Sequence, residues 1–359
     1  MKYPRSLLVV VPLVILLVAV GVSAQQGGDE RVFTRGQLRA AIAVQEQYTD
    51  SLMLVSSRVV GTAVTADASG RGIVLVYVSS TAVPGIPTRL DGVTVRVEAI
   101  GELVALKGKG KPGSGGDDGD NVDPTSRFDR PVPIGVSTGH PDITAGTIGA
   151  RVTDGTDVYA LSNNHVYANL NAANPGILDP LGGDSVIQPG TFDDGSSPAD
   201  DIGTLWDFGP IVFCEAYPDC SVDNVIDAAI ALSSTVALGN ATPSDGYGTP
   251  KSTTILAAVN MRVMKYGRTT GQTKGRISAI NATVNVGYGG GNVARFINQI
   301  VVGGGGFSAG GDSGSLVVGQ KNGDERKPVG LLYAGSSSVT ILNPIDAVLT
   351  AFDVTIDGS

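Results

Sequence analysis

Between Gln37 and Leu54, apolar residues recur at Leu38, Ala41, Ile42 and Val44 among polar neighbours, a spacing that places them on one face of a helix. From Val59 the pattern changes. Runs such as Val59-Val60, Ile73 to Val78 and Val93 to Val97 are separated by stretches rich in Asp, Ser, Gly and Pro, and predict short strands. Residues 32–106 therefore read as a small α+β unit, assigned as 25–106 with its lead-in. Residues 107–125, KGKGKPGSGGDDGDNVDPT, have no apolar period and are dominated by Gly, Pro, Ser and charge. Such a stretch buries too little to offset the entropy of ordering, and predicts a flexible linker open to proteolysis.

From residue 126 to the end, short apolar runs alternate with turn signals. Thr147 to Val152 and Val158 to Leu161 flank Asp154-Gly155, a hairpin signature. Further strands are expected at Asp201 to Trp206, Ala228 to Leu232, Met261 to Tyr266, Arg276 to Val286, Phe296 to Val302, Ser315 to Val318, Val329 to Tyr333 and Val339 to Leu342, with a helix only near Ile345 to Phe352. Many strands, Gly-rich turns and few helices predict a mostly β domain built as a sandwich or barrels.

Composition narrows the functions open to it. The 359-residue chain has 50 glycines, 16% charged residues and a net charge of −9, so nucleic acid and anionic membrane surfaces, which reward clustered Lys and Arg, are not expected partners. Residues 1–24 carry Lys2 and Arg5, an apolar run from Leu7 to Val20 and a small-residue end at Val22-Ser23-Ala24, the pattern of a signal peptide, with no lasting membrane partner after its removal. Secretion is the expected localisation. It also makes a disulfide the expected state of Cys214 and Cys220, the only cysteines. No metal-binding or cofactor motif is evident: GYGGGN at Gly287 to Asn292 reads as a hairpin tip rather than a dinucleotide loop, and GRTTGQTKG at Gly267 to Gly275 does not place Lys274 as a phosphate loop requires.

The stretch FSAGGDSGSLVVG holds Ser313 between glycines, a setting in which a hydroxyl projects while backbone N–H groups converge. A serine nucleophile needs a base near neutral pKa, which only histidine supplies, and the imidazole needs a carboxylate to orient it. Of two histidines, His165 follows an apolar strand in SNNHV, whereas His140, in STGHPD, reads as an exposed turn residue. Asp227 in NVIDAAIAL is an acid in an apolar strand context that should have a hydrogen-bonding partner. Asp200 and Asp201 are its rivals.

The segments LSNNHV, VDNVIDAAIA and FSAGGDSGSLVV, in this order, resemble the His, Asp and Ser motifs of bacterial trypsin-like serine proteases with the chymotrypsin fold, and the resemblance spans about Arg130 to Val354. It implies a pair of six-stranded antiparallel β-barrels over 126–359 with the active site between them, preceded by the small α+β unit. It also implies catalytic His165, Asp227 and Ser313, an oxyanion hole from the backbone N–H groups of Gly311 and Ser313, and a protein or peptide substrate. Phe307 falls where these enzymes place the base of the primary pocket, and Tyr333, Ala334 and Gly335 where they place its wall. Phe307 is not the Asp that selects Arg or Lys, so a small or apolar preference is expected. The Ile-Val-Gly-Gly activation sequence is missing, which puts in doubt the pairing of a freed N-terminus with Asp312. The α+β unit is free to pack on the protease domain, as a removable inhibitory or folding pro-segment or as a permanent accessory domain. A non-catalytic binding module on the same scaffold and an esterase using the same residues are the alternatives to a secreted endopeptidase.

Overall fold

Alternating apolar positions put one face of each strand into a core, and the described strands do so in two large sheets. The structure is a computed structural model that describes residues 31–81, 83–108, 122–178, 182–321 and 323–359; the expected signal peptide and most of the expected linker lie outside them. The first sheet has six strands, each antiparallel to its neighbour, in the order Ser185–Ile187, Asp201–Phe208, Ala229–Ser233, Val158–Ser162, Ala150–Thr153 and Thr355–Ile356. The Asp154-Gly155 hairpin is formed as its sequence predicts, with Thr153 opposite Val158. Its inner face is a core that includes Val136, Ile148, Ala160, Ile202 and Leu205.

The second sheet is built from Arg262–Gly267, the long hairpin Gly271–Gly289 and Asn292–Gly303, then Leu316–Gly319, Pro328–Gly335 and Val339–Pro344. GYGGGN is the tip of that hairpin. Helix Ile345–Phe352 leads the chain back to the first sheet, and its Ile345, Val348 and Leu349 pack with Tyr159 and Leu161 from one sheet and Leu316, Val318 and Leu331 from the other. This shared apolar cluster joins the two sheets.

The N-terminal segment continues the second sheet. Helix Arg39–Met53 sets Leu52 and Met53 against Val59, Val74 and Val76, so one helix face covers the pair Val59–Ala66 and Gly72–Val78. Strand Val59–Ala66 then pairs antiparallel with Gly271–Gly289, Thr62 facing Thr283. Polar side chains line that seam. Gln45 Nε2 donates to Thr49 and Thr62 at 3.0 and 2.8 Å, and its Oε1 accepts from Asn281 at 2.7 Å. Residues Val32–Ser359 are one compact unit. No described helix is long and apolar enough to cross a membrane.

Candidate active site

Strand Val158–Ser162 ends at Asn163, and a short helix, Asn164–Tyr167, turns His165 back toward the sheet. Asn163 Nδ2 donates to the Asp227 carbonyl at 2.6 Å, which ties this turn to the residues leading into Ala229–Ser233. His165 and Asp227 meet there. Asp227 Oδ2 lies 2.6 Å from His165 Nδ1, and Oδ1 accepts the His165 backbone N–H at 3.2 Å. Two bonds to one residue fix both its ring and its backbone and leave the buried Nε2 without a hydrogen bond among the described residues, available to take a proton. Tyr288 Oη donates to the same Oδ2 at 2.8 Å, and the Asp227 carboxylate is fully buried. The rivals lie elsewhere. Asp200 is held by Arg127 at 2.6 and 2.8 Å, with its carboxyl below the usual range because of that hydrogen bond, and Asp201 accepts from Ser185. His140 is not the exposed residue expected: it is 5% exposed, with Nε2 3.3 Å from Asp184.

Ser313 comes from the second sheet, just before Leu316–Gly319. Gly311 has φ +101°, and a Cβ there would lie 2.4 Å from Thr269 Oγ1, while Gly314 has φ +94° with Ser162 Oγ and Thr147 O both 2.2 Å from such a Cβ. Both sites exclude side chains twice over, by conformation and by space. The Ser313 hydroxyl donates to Tyr333 O at 3.1 Å, and His165 Nε2 makes no hydrogen bond among the described residues. Serine and histidine bonds of this kind are often loose until substrate chemistry draws them together.

Asp312 is clamped. Its carboxylate accepts from the backbone N–H groups of Thr269, Thr270 and Ala309 and from Thr270 Oγ1, and Lys265 Nζ lies 3.3 Å away, both partners fully buried. Burial pushes the Lys265 ammonium down and Asp312 offsets part of that. The cation paired with Asp312 is thus a lysine of a neighbouring strand. Thr269 and Thr270, from the GRTTG turn, serve this clamp rather than a phosphate.

The cleft is occupied by the chain itself. Val104 and Ala105 form a short strand antiparallel to Pro328–Gly335, with Ala105 opposite Ala334 and Val104 opposite Gly335. Leu106 N–H donates to Tyr333 O at 3.1 Å, and Leu106 O accepts from Gly311 N–H at 2.6 Å. Two residues on, Gly108 N–H donates to Ala145 O at 3.1 Å. Lys107 lines a cavity of about 390 Å³ that Ala145, Asp142, Thr144 and His165 also line. Leu106 shares an apolar cluster with Phe307, itself packed over Gly275, and Leu106 Cδ1 lies against Gly335. Of the residues expected to form the pocket, Tyr333 bonds the Leu106 amide, Gly335 lies at its side chain, Ala334 pairs with Ala105, and Phe307 shares its apolar cluster.

Sequence reasoning missed Leu106 to Gly108, Ala145, Lys265 and Tyr288. Only Lys265 left a trace: it stands two residues from Val263, on the buried face of an alternating strand. Among the described residues no cluster of metal-ligating side chains occurs. The predicted local disulfide is formed between Cys214 and Cys220.

The family model of the Nal1 C-terminal domain matches residues 245–345. No curated protein matches the sequence. Among solved structures, a glutamic acid specific serine protease is 20% identical with a TM-score of 0.44, covering 63% of this chain and 100% of its own. Protease A of Thermobifida fusca is 18% identical with a TM-score of 0.43, covering 64% and 100%. A Cellulomonas bogoriensis chymotrypsin is 17% identical with a TM-score of 0.41, covering 65% and 100%.

Proposed function

We propose that the protein is a secreted serine endopeptidase in which His165, Asp227 and Ser313 cut peptide bonds through an acyl-enzyme. One observation carries this choice: a stretch of polypeptide lies across the site in extended form, its carbonyl on the Gly311 N–H beside Ser313. An esterase has no need for strand pairing along its cleft, and a binding module has no need for a donor aimed at a carbonyl oxygen next to a glycine-framed serine.

In this mechanism the Ser313 hydroxyl turns from Tyr333 O to His165 Nε2 and gives up its proton as Oγ adds to the carbonyl carbon. Charge gathers on the carbonyl oxygen, which the Gly311 N–H already meets at 2.6 Å. Asp227 stabilises the imidazolium. The C–N bond then breaks, His165 passes the proton to the departing amine, and water, activated by the same His165, hydrolyses the ester. The Ser313 N–H is the second expected donor. Secretion rests on the leader-like first 24 residues and accords with the Cys214–Cys220 disulfide. The position of Leu106 against Gly335, in the same apolar cluster as Phe307, supports a leucine-sized apolar side chain before the cut.

With the chain cut between Leu106 and Lys107, a fluorophosphonate should label the protein at Ser313, and peptides with leucine before the cut should be hydrolysed by the wild type and not by Ser313→Ala. Absent labelling and absent hydrolysis would favour the binding module. Hydrolysis of leucine esters alone would favour the esterase.

A further inference from the structure

Asp227 takes a third hydrogen bond that the serine mechanism described above does not use. Tyr288 Oη donates to Asp227 Oδ2, the same oxygen that faces His165 Nδ1, at 2.8 Å. The phenol comes from the end of strand Gly271–Gly289 in the second sheet, whereas His165 and Asp227 belong to the first. Its ring is set edge-on to both His165 and Phe213, with centroids 6.0 and 5.6 Å away, and it is 5% exposed. The neighbouring Gly287 N–H donates to Leu103 O at 2.9 Å, so the occupied cleft also holds the strand end that carries Tyr288.

Resting on the endopeptidase reading, we propose that Tyr288 is a positioning residue: its hydroxyl holds the Asp227 carboxylate toward the imidazole and sets how strongly that carboxylate stabilises the imidazolium. Burial and the Asp227 charge both push the Tyr288 phenol well up, so it stays protonated and acts as donor. The other groups that face this pair are few. Lys107 comes from the N-terminal segment, its ammonium lowered by burial and partly restored by Asp227. Asp142 lines the same cavity as His165. Tyr333 presents a buried hydroxyl with no hydrogen bond among the described residues. Of the two buried tyrosines near the carboxylate, only Tyr288 bonds to it.

A carboxylate that shares its charge with a phenol offers less of it to an imidazolium. Removing the hydroxyl should therefore raise the titration midpoint of His165. A hydrogen bond to a charged group is strong enough that its loss should appear as a shift of about half a unit to one unit. The test is an NMR titration of the two histidines in the Ser313→Ala protein, which needs no activity. Tyr288→Phe should move the His165 midpoint up and leave that of His140 in place. A fluorotyrosine placed at Tyr288, a stronger donor of nearly the same shape, should move it down, and covers the case in which Tyr288→Phe does not fold. In the protein retaining Ser313, the acid limb of the Tyr288→Phe rate profile should move up with His165, with little change in KM. A His165 midpoint unmoved by either variant would overturn the proposal. Shifts in the NMR titration in a protein without peptidase activity would uphold Tyr288 and sink the protease function instead.

Discussion

Leu106 places its amide, carbonyl and side chain on three different features of the site: Tyr333 O, the Gly311 N–H, and the apolar surface about Phe307 and Gly335. Only the side chain can be changed by substitution without altering the other two. Leu106→Asp would bury a carboxylate in an apolar cluster, and burying a charge there is expensive. Cleavage between residues 106 and 107 in that variant should slow by at least about 10²-fold, while Leu106→Met should cost less than about tenfold. A gel time course of freshly folded protein measures both, and equal rates for the two variants would remove Leu106 from the pocket. His165 and Ser313 were legible in the sequence as candidates because each stands beside a local signal, a strand end and a pair of glycines. Leu106 and Tyr288 were not, since each meets the site through a partner more than a hundred positions away in the chain or on the other sheet.

The strands and helices themselves were largely readable. Alternation and turn residues marked the hairpin at Asp154-Gly155, the long pair around GYGGGN and the closing helix Ile345–Phe352. What alternation cannot show is a polar residue placed inward for a reason, as Lys265 is on strand Arg262–Gly267. Its ammonium bonds Thr270 Oγ1 and Gly271 O as well as pairing with Asp312, so the strand, the turn after it and the nucleophile loop share one buried charge pair. Lys265→Met keeps the volume and removes the cation, leaving Asp312 buried with neutral donors only. Breaking such a pair costs about 3–5 kcal/mol, and urea denaturation should show a loss of that size. A variant as stable as the parent would mean that the donors of Thr269, Thr270 and Ala309 suffice to hold Asp312.

At the scale of the whole molecule, the N-terminal segment does two things at once. Strand Val59–Ala66 extends the second sheet, and residues 104–108 fill the cleft between that sheet and the first. The composition of 25–106 and of the stretch after it pointed to a small unit and a linker, but sheet continuity is a property of distant pairings that no local pattern encodes. The seam through Gln45, Thr49, Thr62 and Asn281 is polar, but apolar clusters flank it and also join the segment to the second sheet: Val60, Leu75 and Leu103 pack with Val284 and Phe296, and Leu38, Ile42 and Val64 with Val259 and Ile277. We propose that Ser313 acts on the peptide bond its own chain presents. That is tested most directly by intact mass and N-terminal mapping of the full chain, folded as wild type and as Ser313→Ala. A wild-type fragment that begins at Lys107 and a Ser313→Ala chain that stays joined there are expected; a wild-type chain left whole at that bond, or a Ser313→Ala chain cut there as fast, would rule the proposal out.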